Sequence, residues 1–230
     1  MSAADDRLPH GYTNLTRRAP GEAVVEKLYT GTDALERLRR EELCLSVVID
    51  VLPVPRVVDK DEERCVLRLG WIEGTPGQEL IEQGHERQVL RATGELLAEF
   101  QTRTSALLGP HLTGAGTLAV HGDFGPQNLL FSAHGDLRVA AVVDWEFAHL
   151  GGPEEDLAWA EWIVRKHHER SVEALDELFA GYGARPPWSA RHVAMVRQCE
   201  RLLSRCETEG LSDAVEMWQS RLQTTERWVE

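Results

Sequence analysis

Long hydrophobic runs are absent from this chain of 230 residues. A helix needs ~20 consecutive apolar residues to cross a bilayer, and no segment approaches that length. The first residues, MSAADDRLPHG, are polar and acidic and carry no apolar signal core. Cysteine is also scarce, and Cys44, Cys65, Cys199 and Cys206 form no C-x-x-C pair or zinc spacing. We therefore expect a cytoplasmic protein with free thiols and no membrane partner.

Positive charge is in short supply, with 25 Lys and Arg against 38 Asp and Glu and a formal net charge of −13. Binding of a phosphate backbone needs clustered Lys and Arg, so we expect no nucleic-acid partner. The 42% of hydrophobic and 27% of charged residues are typical of a soluble globular protein rather than a disordered one. The acidic balance has two open interpretations, attraction of a cationic small molecule or solubility alone.

Predicted strands dominate the first third of the chain. Residues 15–29 are typical of a β-hairpin around Pro20-Gly21-Glu22. Thr32 or Asp33 then opens a helix, because Asp33 and Glu36 form a capping-box pattern. The helix ends before the two prolines of LPVP, and the runs PRVV and RCVLRLGWI follow as strands.

A connector rich in Gly and Pro, EGTPG at residues 73–77, precedes a change of pattern. Residues 80–100 place apolar side chains near helical spacing, and the chain after residue 156 is largely helical. We therefore predict an α+β fold with a small strand-rich lobe, residues 1–72, and a larger helix-rich lobe, residues 73–230.

The segment VHGDFGPQNLLF carries three polar side chains, His121, Asp123 and Asn128, between apolar flanks. Its two glycines and its proline interrupt regular structure, so it is a shaped turn. Polar groups on such loops are frequently catalytic. A turn that only connects two elements is the alternative interpretation.

Asn128 and Asp144 flank a predicted hairpin whose midpoint is Asp136. Residues equidistant from the turn of an antiparallel pair lie opposite each other, about 5 Å apart at Cα, so these two should meet. Carboxylate and amide oxygens suit Mg²⁺, and Asp123 adds a carboxylate at the same rim. The H-x-D-x-x-x-x-N spacing followed by this Asp matches the requirements of phosphoryl transfer. His121 is expected to brace the loop, with direct catalysis as the alternative.

HGDFGPQNLLF together with VVDWEFAHLGGPEEDLAW resembles the catalytic core of the aminoglycoside phosphotransferase family, which includes choline-kinase-like small-molecule kinases. The resemblance extends from about Leu8 to Trp162. It implies a two-lobed protein-kinase-like fold, ATP or GTP as co-substrate with Mg²⁺, and phosphorylation of hydroxyls on small molecules.

The resemblance also implies roles for individual residues. Asp123 would be the catalytic base, and Asn128 and Asp144 would hold the metal. Asp156 would brace the catalytic loop from a helix N-terminus, although an acid favoured only by the helix dipole is the alternative. The chain departs from the family pattern at Gly152, where Asp is more frequent, and its later helical region is short for the family.

Lys27 lies in the middle of a predicted strand on a face with apolar neighbours. Lysine rarely occupies a buried face unpaired, so we expect it to bind phosphates and pair with a helix glutamate. An edge-strand lysine reaching water is the alternative. The apolar stripe of the helix favours Glu42 as the partner, whereas the family register favours Glu41, which we adopt.

The run LPHGYTNLTRR resembles the nucleotide-positioning loop of the family. It has one glycine, Gly11, and lacks the G-x-G-x-x-G of protein kinases, which argues against a protein kinase. Gly11, Thr13 and Asn14 are the candidates to face phosphate, and an ordinary hairpin turn is the alternative.

Glu161 is the candidate contact for a cationic acceptor, because it lies between Trp159 and Trp162 and close to Asp156. The leading hypothesis is transfer of the γ-phosphoryl of ATP or GTP to an aminoglycoside or related antibiotic, which would give resistance by inactivation. The alternatives are a metabolic kinase for an amino alcohol or sugar, and a nucleotide-binding pseudokinase regulator. The acceptor, the nucleobase and the oligomeric state are not readable from the sequence.

Overall fold

The computed structural model describes residues 14–132 and 137–230. The strands of its first part are β1 (Asn14–Arg18), β2 (Val24–Tyr29), β3 (Val57–Asp61) and β4 (Val66–Gly70). They form an antiparallel sheet in the order β1-β2-β4-β3. β1 and β2 are the predicted hairpin, with Thr16 opposite Lys27, so that prediction is confirmed.

Helix α1 (Ala34–Val48) contacts β2, β3 and β4. Its apolar residues Leu38, Leu45 and Val48 are buried, because they recur at helical spacing and face the core. Glu41 is buried on the same helix, with 1% of its surface exposed. A carboxylate is therefore held inside the protein beside the sheet, where it needs a charged partner.

Asp33 precedes α1 as expected, but its side chain makes no capping hydrogen bond to the helix backbone. The capping-box prediction is wrong. The Asp33 carboxylate instead accepts hydrogen bonds from Arg37, one turn along the helix, and from Arg205 near the end of the chain. Two guanidinium groups outcompete the backbone N–H groups because charged donors make the stronger hydrogen bonds.

Helices dominate the rest of the described chain. They are α2 (Gly77–Glu82), α3 (Glu86–Leu108), α4 (Glu155–His167), α5 (Leu175–Tyr182), α6 (Trp188–Thr208) and α7 (Ser212–Glu226). α3 packs against α5, and α6 packs against both α4 and α7. Within the described ranges, no helix combines the length and apolarity needed to cross a membrane.

Short strands among these helices place the catalytic segment. They are β5 (Thr75–Pro76), β6 (Leu118–Val120), β7 (Leu129–Phe131), β8 (Val139–Val142) and β9 (His149–Gly151). β5, β7 and β8 form one sheet, and β6 pairs with β9 in another. The hairpin predicted between Asn128 and Asp144 is therefore present as β7 and β8.

The register of β7 and β8 differs by one residue from the prediction. Leu129 lies opposite Val142, and the Val143 N–H donates to the Asn128 carbonyl at 3.0 Å. Asn128 is thus opposite Val143, and the prediction that it faces Asp144 across the ladder is wrong. Spacing alone does not reveal how many residues the turn consumes; its expected midpoint, Asp136, lies outside the described residues.

One cluster of buried apolar side chains continues from the first sheet into the helical region. It includes Leu38 and Leu67 on one side and Leu97, Leu129 and Trp145 on the other. The predicted α+β class, strand-rich first and helix-rich afterwards, is confirmed. The division at residues 72 and 73 stays a prediction.

Candidate active site

The turn after β6 is fastened to the first turn of α4. The Asp156 carboxylate accepts the backbone N–H groups of His121 at 2.8 Å and Gly122 at 3.0 Å. Burial raises the pKa of Asp156 to about 6, although both N–H groups favour the charged form. Gly122 has a φ of +85°, and a Cβ there would lie 2.4 Å from the Phe147 carbonyl oxygen. Asp156 thus lies where the predicted loop brace must lie, and Gly122 fits because it has no side chain.

His121 is fully buried and packs edge-on against Phe124 and Trp145. Its Nδ1 accepts the N–H of Asp123 at 3.3 Å, so the ring proton is on Nε2, which donates to the Val143 carbonyl at 3.1 Å. Burial lowers the pKa of His121 to about 3, so the ring is neutral at neutral pH. It ties the turn to the end of β8, the geometry expected of a bracing residue.

The Asp123 carboxylate receives three side-chain N–H donors. Oδ1 accepts from Trp159 Nε1 at 2.7 Å and from Gln127 Nε2 at 3.2 Å, and Oδ2 accepts from Asn128 Nδ2 at 2.8 Å. Burial, followed by the charge of Asp144, raises the pKa of Asp123 to about 7. A carboxyl held in a fixed orientation with a pKa near neutrality is suited to accept a proton.

Asp144 is brought to the site by an unusual backbone conformation. Its φ of 70° places it in the left-handed region, which a non-glycine residue adopts at some cost. Asp144 lies two residues after the end of β8, and its carboxylate forms a salt bridge with Lys27 of the first sheet. Asp144 and Asn128 therefore line the same cleft although they are not cross-strand partners.

Lys27 is 5% exposed and lies among acidic groups. Its Nζ contacts Glu41 Oε2 at 2.5 Å as well as Asp144, and Glu41 also accepts the Tyr29 hydroxyl at 2.6 Å. Burial opposes the lysine charge, but the Asp144 and Glu41 carboxylates together hold the pKa of Lys27 well above its usual value. The buried ion pair is the one that the family register favours.

Glu42, the alternative partner, points away from Lys27. It pairs with Lys60 at 2.9 Å on the surface. The apolar stripe of α1 favoured Glu42 because that position falls nearer its centre than Glu41 does. The structure instead pairs Lys27 of the sheet with Glu41.

Asn14 makes side-chain contacts inside the protein. Its Nδ2 donates to Glu146 Oε2 at 2.6 Å, and its Oδ1 accepts from Arg37 at 2.9 Å. Glu146 is fully buried, bonds Arg37 at 2.9 Å and lies 3.7 Å from Lys27. The Asn14 side chain is thus committed to this network at the edge of the cleft. The other two loop candidates, Gly11 and Thr13, lie outside the described residues.

Glu146 and Arg37 were missed by the sequence reasoning. The position of Glu146 could have indicated its role, because it lies two residues after Asp144 in the D-W-E run and the same short turn contains both acids. The signal for Arg37 was an arginine at a core-facing position of α1, one residue before the buried Leu38. A buried arginine requires a buried acid, and Glu146 supplies it.

A cleft of about 420 Å³ lies between the first sheet and the catalytic hairpin. Val25 and Leu69 of the sheet and Trp71 and Ile72 after it supply apolar walls. Its polar end is lined by five of the predicted site residues: Asn14, Lys27, Glu41, Asn128 and Asp144. An apolar slot with charge at one end has the size and character of a small-molecule site.

Glu161 does not face this cleft. It is fully buried in α4, and its two oxygens bond Arg165 at 2.9 Å and Arg191, which is also fully buried. The expectation that Glu161 meets a cationic acceptor fails, because both carboxylate oxygens already hold guanidinium groups. The neighbouring Trp159 and Trp162 are buried as well, so this part of α4 is enclosed by the protein and does not line the cleft.

Several carboxylate oxygens at the site lie close enough together to hold a metal ion. Oxygens of Glu41, Asp144 and Glu146 lie within 4.8 Å of one another, and Lys27 forms ion pairs with all three residues. The Asn128 side-chain nitrogen donates to the backbone carbonyl of Asp123 and to its Oδ2. The side-chain oxygen of Asn128 is therefore directed away from Asp123. Hard oxygen donors in a surplus of negative charge suit a divalent ion such as Mg²⁺.

Comparison with known proteins gives a consistent result for this part of the chain. The model of the phosphotransferase enzyme family (APH) matches residues 103–193, which include the catalytic turn, Asp144 and Asp156. A viomycin phosphotransferase from Streptomyces vinaceus is 48% identical over 50 residues. That match covers 21% of this chain and 16% of the relative's length. The similarity to this family predicted from the two motifs is confirmed.

Solved structures match over nearly the whole chain. The GDP and kanamycin complex of APH(2″)-IIia has a TM-score of 0.74 at 11% identity, covering 96% of this chain and 92% of that one. A ternary complex of aminoglycoside phosphotransferase APH(4)-Ia with ADP and hygromycin B has a TM-score of 0.68 at 15% identity, with the same coverage of 96% and 92%. At these identities the likeness establishes the fold, and the predicted two-lobed kinase-like architecture is confirmed.

Proposed function

We propose that this protein is a phosphotransferase that moves the γ-phosphoryl group of ATP or GTP to a hydroxyl of a small acceptor. One observation carries the proposal: Lys27, Asn128 and Asp144 come from three separate segments and line one cleft, and the Asp123 carboxylate accepts a hydrogen bond from Asn128. A protein without chemistry to perform has no need for a carboxyl with a raised pKa beside two hard-ligand side chains. The family-model match over the same segment supports the reaction class.

Asp123 is the proposed base. The acceptor hydroxyl would lie against its carboxylate, the hydroxyl oxygen would form the new bond to the γ-phosphorus, and the bond from that phosphorus to the β–γ bridging oxygen would break. The hydroxyl proton passes to Asp123, and the nucleoside diphosphate leaves. Phosphoryl transfer depends mainly on such positioning and on charge stabilisation.

Lys27 is the proposed phosphate ligand of the nucleotide, held by Glu41. Its salt bridges to Glu41 and Asp144 support this role, because Lys27 lines the cleft where the phosphates would lie. Gly11, Thr13 and the backbone of Asn14 remain the candidates to cover the phosphates. The apolar walls near Trp71 and Ile72 have room for a base, ATP or GTP alike.

Asn128 and Asp144 would hold Mg²⁺, which would supply positive charge to stabilise the phosphoryl group during transfer. The chain's own contribution is the orientation of these two ligands. Asn128 is fixed through its amide nitrogen, and Asp144 through its left-handed backbone. The brace formed by His121 and Asp156 keeps Asp123 in register with them.

The proposed acceptor is a cationic antibiotic, an aminoglycoside or a related basic compound, and the reaction would inactivate it. The net charge of −13 supports attraction of such a molecule, and the matched relative is a viomycin phosphotransferase. We also propose that the protein works in the cytoplasm without a nucleic-acid partner. All four cysteines are free, and three are buried, as suits a reducing compartment.

The test is a diphosphate-release assay with ATP and with GTP across aminoglycosides, peptide antibiotics, macrolides and amino alcohols. Acceptor-dependent ADP or GDP release with a basic antibiotic supports the proposal. Release with an amino alcohol or sugar alone would make the protein a metabolic kinase. Nucleotide binding without release in any pairing would favour a regulator.

A further inference from the structure

Trp159 contacts the proposed base directly, from a helix outside the catalytic turn. Its indole Nε1 donates to Asp123 Oδ1 at 2.7 Å, the shortest of the three side-chain bonds to that carboxylate. Trp159 lies three residues after Asp156, so both project from the same face of the first turns of α4. The first turns of α4 therefore hold the backbone of the catalytic turn through Asp156 and the carboxylate of Asp123 through Trp159.

The indole is itself held rigidly. Trp159 is 5% exposed and stacks on Trp162 with ring centroids 4.4 Å apart and planes inclined by 9°. Trp162 is anchored in turn by its own N–H bond to Thr225 Oγ1 at 2.8 Å. A donor fixed by stacking loses little side-chain freedom when it bonds, so it can fix the rotation of the Asp123 carboxylate.

The distribution of donors distinguishes the two carboxylate oxygens. Oδ1 accepts from both Trp159 and Gln127, whereas Oδ2 accepts from Asn128 alone among the described side chains. A carboxylate oxygen has about two lone-pair sites, so Oδ1 is fully used and Oδ2 keeps one. The oxygen with the remaining site is the one that can receive a proton from an acceptor hydroxyl.

We propose that Trp159 is a positioning residue for phosphoryl transfer: it locks Oδ1 of Asp123 so that Oδ2 faces the acceptor hydroxyl. This role rests on the proposed function. Because Trp159 would act through Asp123 and not through either substrate, its loss should affect the chemical step and leave the binding of both substrates unchanged.

The kinetic test compares Trp159→Phe with Trp188→Phe, a matched control in which the replaced tryptophan stacks on His192 and makes no hydrogen bond to Asp123. Misplacing a reacting group by about 1 Å can cost ~10²-fold, so Trp159→Phe should lower kcat by about 10- to 100-fold with both KM values within about twofold. Trp188→Phe should leave kcat within about twofold, because Trp188 does not hold the Asp123 carboxylate. Equal kcat losses in the two variants, or a loss confined to KM, would overturn the positioning role.

A second measurement does not depend on activity. The seven tryptophans give seven indole N–H signals in a ¹H–¹⁵N spectrum of the ligand-free protein, and Trp159→Phe assigns one of them. Asp123→Ala should shift the Trp159 signal, because the acceptor of its hydrogen bond is lost, and should leave the Trp162 signal in place. An unmoved Trp159 signal would overturn the contact and the proposal with it. A shifted signal in a protein that phosphorylates no acceptor would overturn the proposed reaction instead, so the two failures are distinguishable.

Discussion

Replacing Glu161 by Gln should damage stability and spare acceptor binding, the reverse of what its place in the sequence suggests. The carboxylate is fully buried, and its two oxygens bond Arg165 and the fully buried Arg191. Gln keeps the shape and can accept one hydrogen bond, but it removes the negative charge. Among the described residues, the acidic partner left to Arg191 would then be Glu230, whose side chain is 46% exposed.

The magnitude follows from the burial of both partners. Removing one member of a buried ion pair typically costs about 3–5 kcal/mol, because the remaining charge is left uncompensated. Glu230 still contacts Arg191, so we expect the lower end, about 3 kcal/mol. In a domain of this size each kcal/mol corresponds to roughly 2–4 °C, which gives a fall in melting temperature of about 6–12 °C.

Thermal and urea unfolding would measure this loss, with Glu99→Gln as the matched control. Glu99 also pairs with an arginine four residues along its helix, Arg103, but both side chains are 46% exposed. Exposed pairs contribute less than about 1 kcal/mol, so the control should unfold close to wild type. If Glu161→Gln is no less stable than Glu99→Gln, and acceptor KM rises instead, the assignment of Glu161 to a buried ion pair is wrong.

Three further predictions concern the cleft. Lys27→Met should raise the nucleotide KM at least about tenfold, because Lys27 would contact phosphate. Lys60→Met, a surface control, should leave the nucleotide KM unchanged. Equal KM values in the two variants would remove Lys27 from that role. Asp144→Asn should weaken Mg²⁺-nucleotide binding more than Asn128→Ala does, since a charged ligand is lost, and calorimetry that finds equal losses would count against the metal assignment. The pKa of Asp123 is raised to about 7, so the base becomes protonated as the pH drops below that value. In that range kcat/KM should fall roughly tenfold per pH unit. A profile that is flat down to pH ~5.5 would contradict this prediction.

The parts of the site that the sequence predicted are those that a local pattern determines. The turn needs glycine at Gly122 because the Phe147 carbonyl approaches it, and Asp123 and Asn128 stand at fixed intervals within the same turn. Turn chemistry and spacing are local properties. The same holds for the β1–β2 hairpin and α1, whose apolar periodicity and Pro-Gly turn are visible without knowledge of the rest of the fold.

The parts that were missed depend on contacts between distant segments. Glu146 reaches Asn14 across 132 positions, and Trp159 reaches Asp123 across 36. No local pattern encodes such pairs. The prediction for Glu161 was wrong for a related reason. A charged residue on a helix is normally expected at the surface, and its buried partner Arg191 lies 30 residues later in the chain.

The central claim is tested most directly by looking for the phosphorylated acceptor itself. Wild-type protein, Mg²⁺-nucleotide and the acceptor selected by the release assay should yield an acceptor whose mass increases by one phosphoryl group. Asp123→Ala should form it about 10²–10⁴-fold more slowly, because the general base is lost, while its melting temperature still rises on addition of Mg²⁺-nucleotide. Product formation at the wild-type rate in that variant, or diphosphate release by the wild type with no phosphorylated acceptor, would contradict the account.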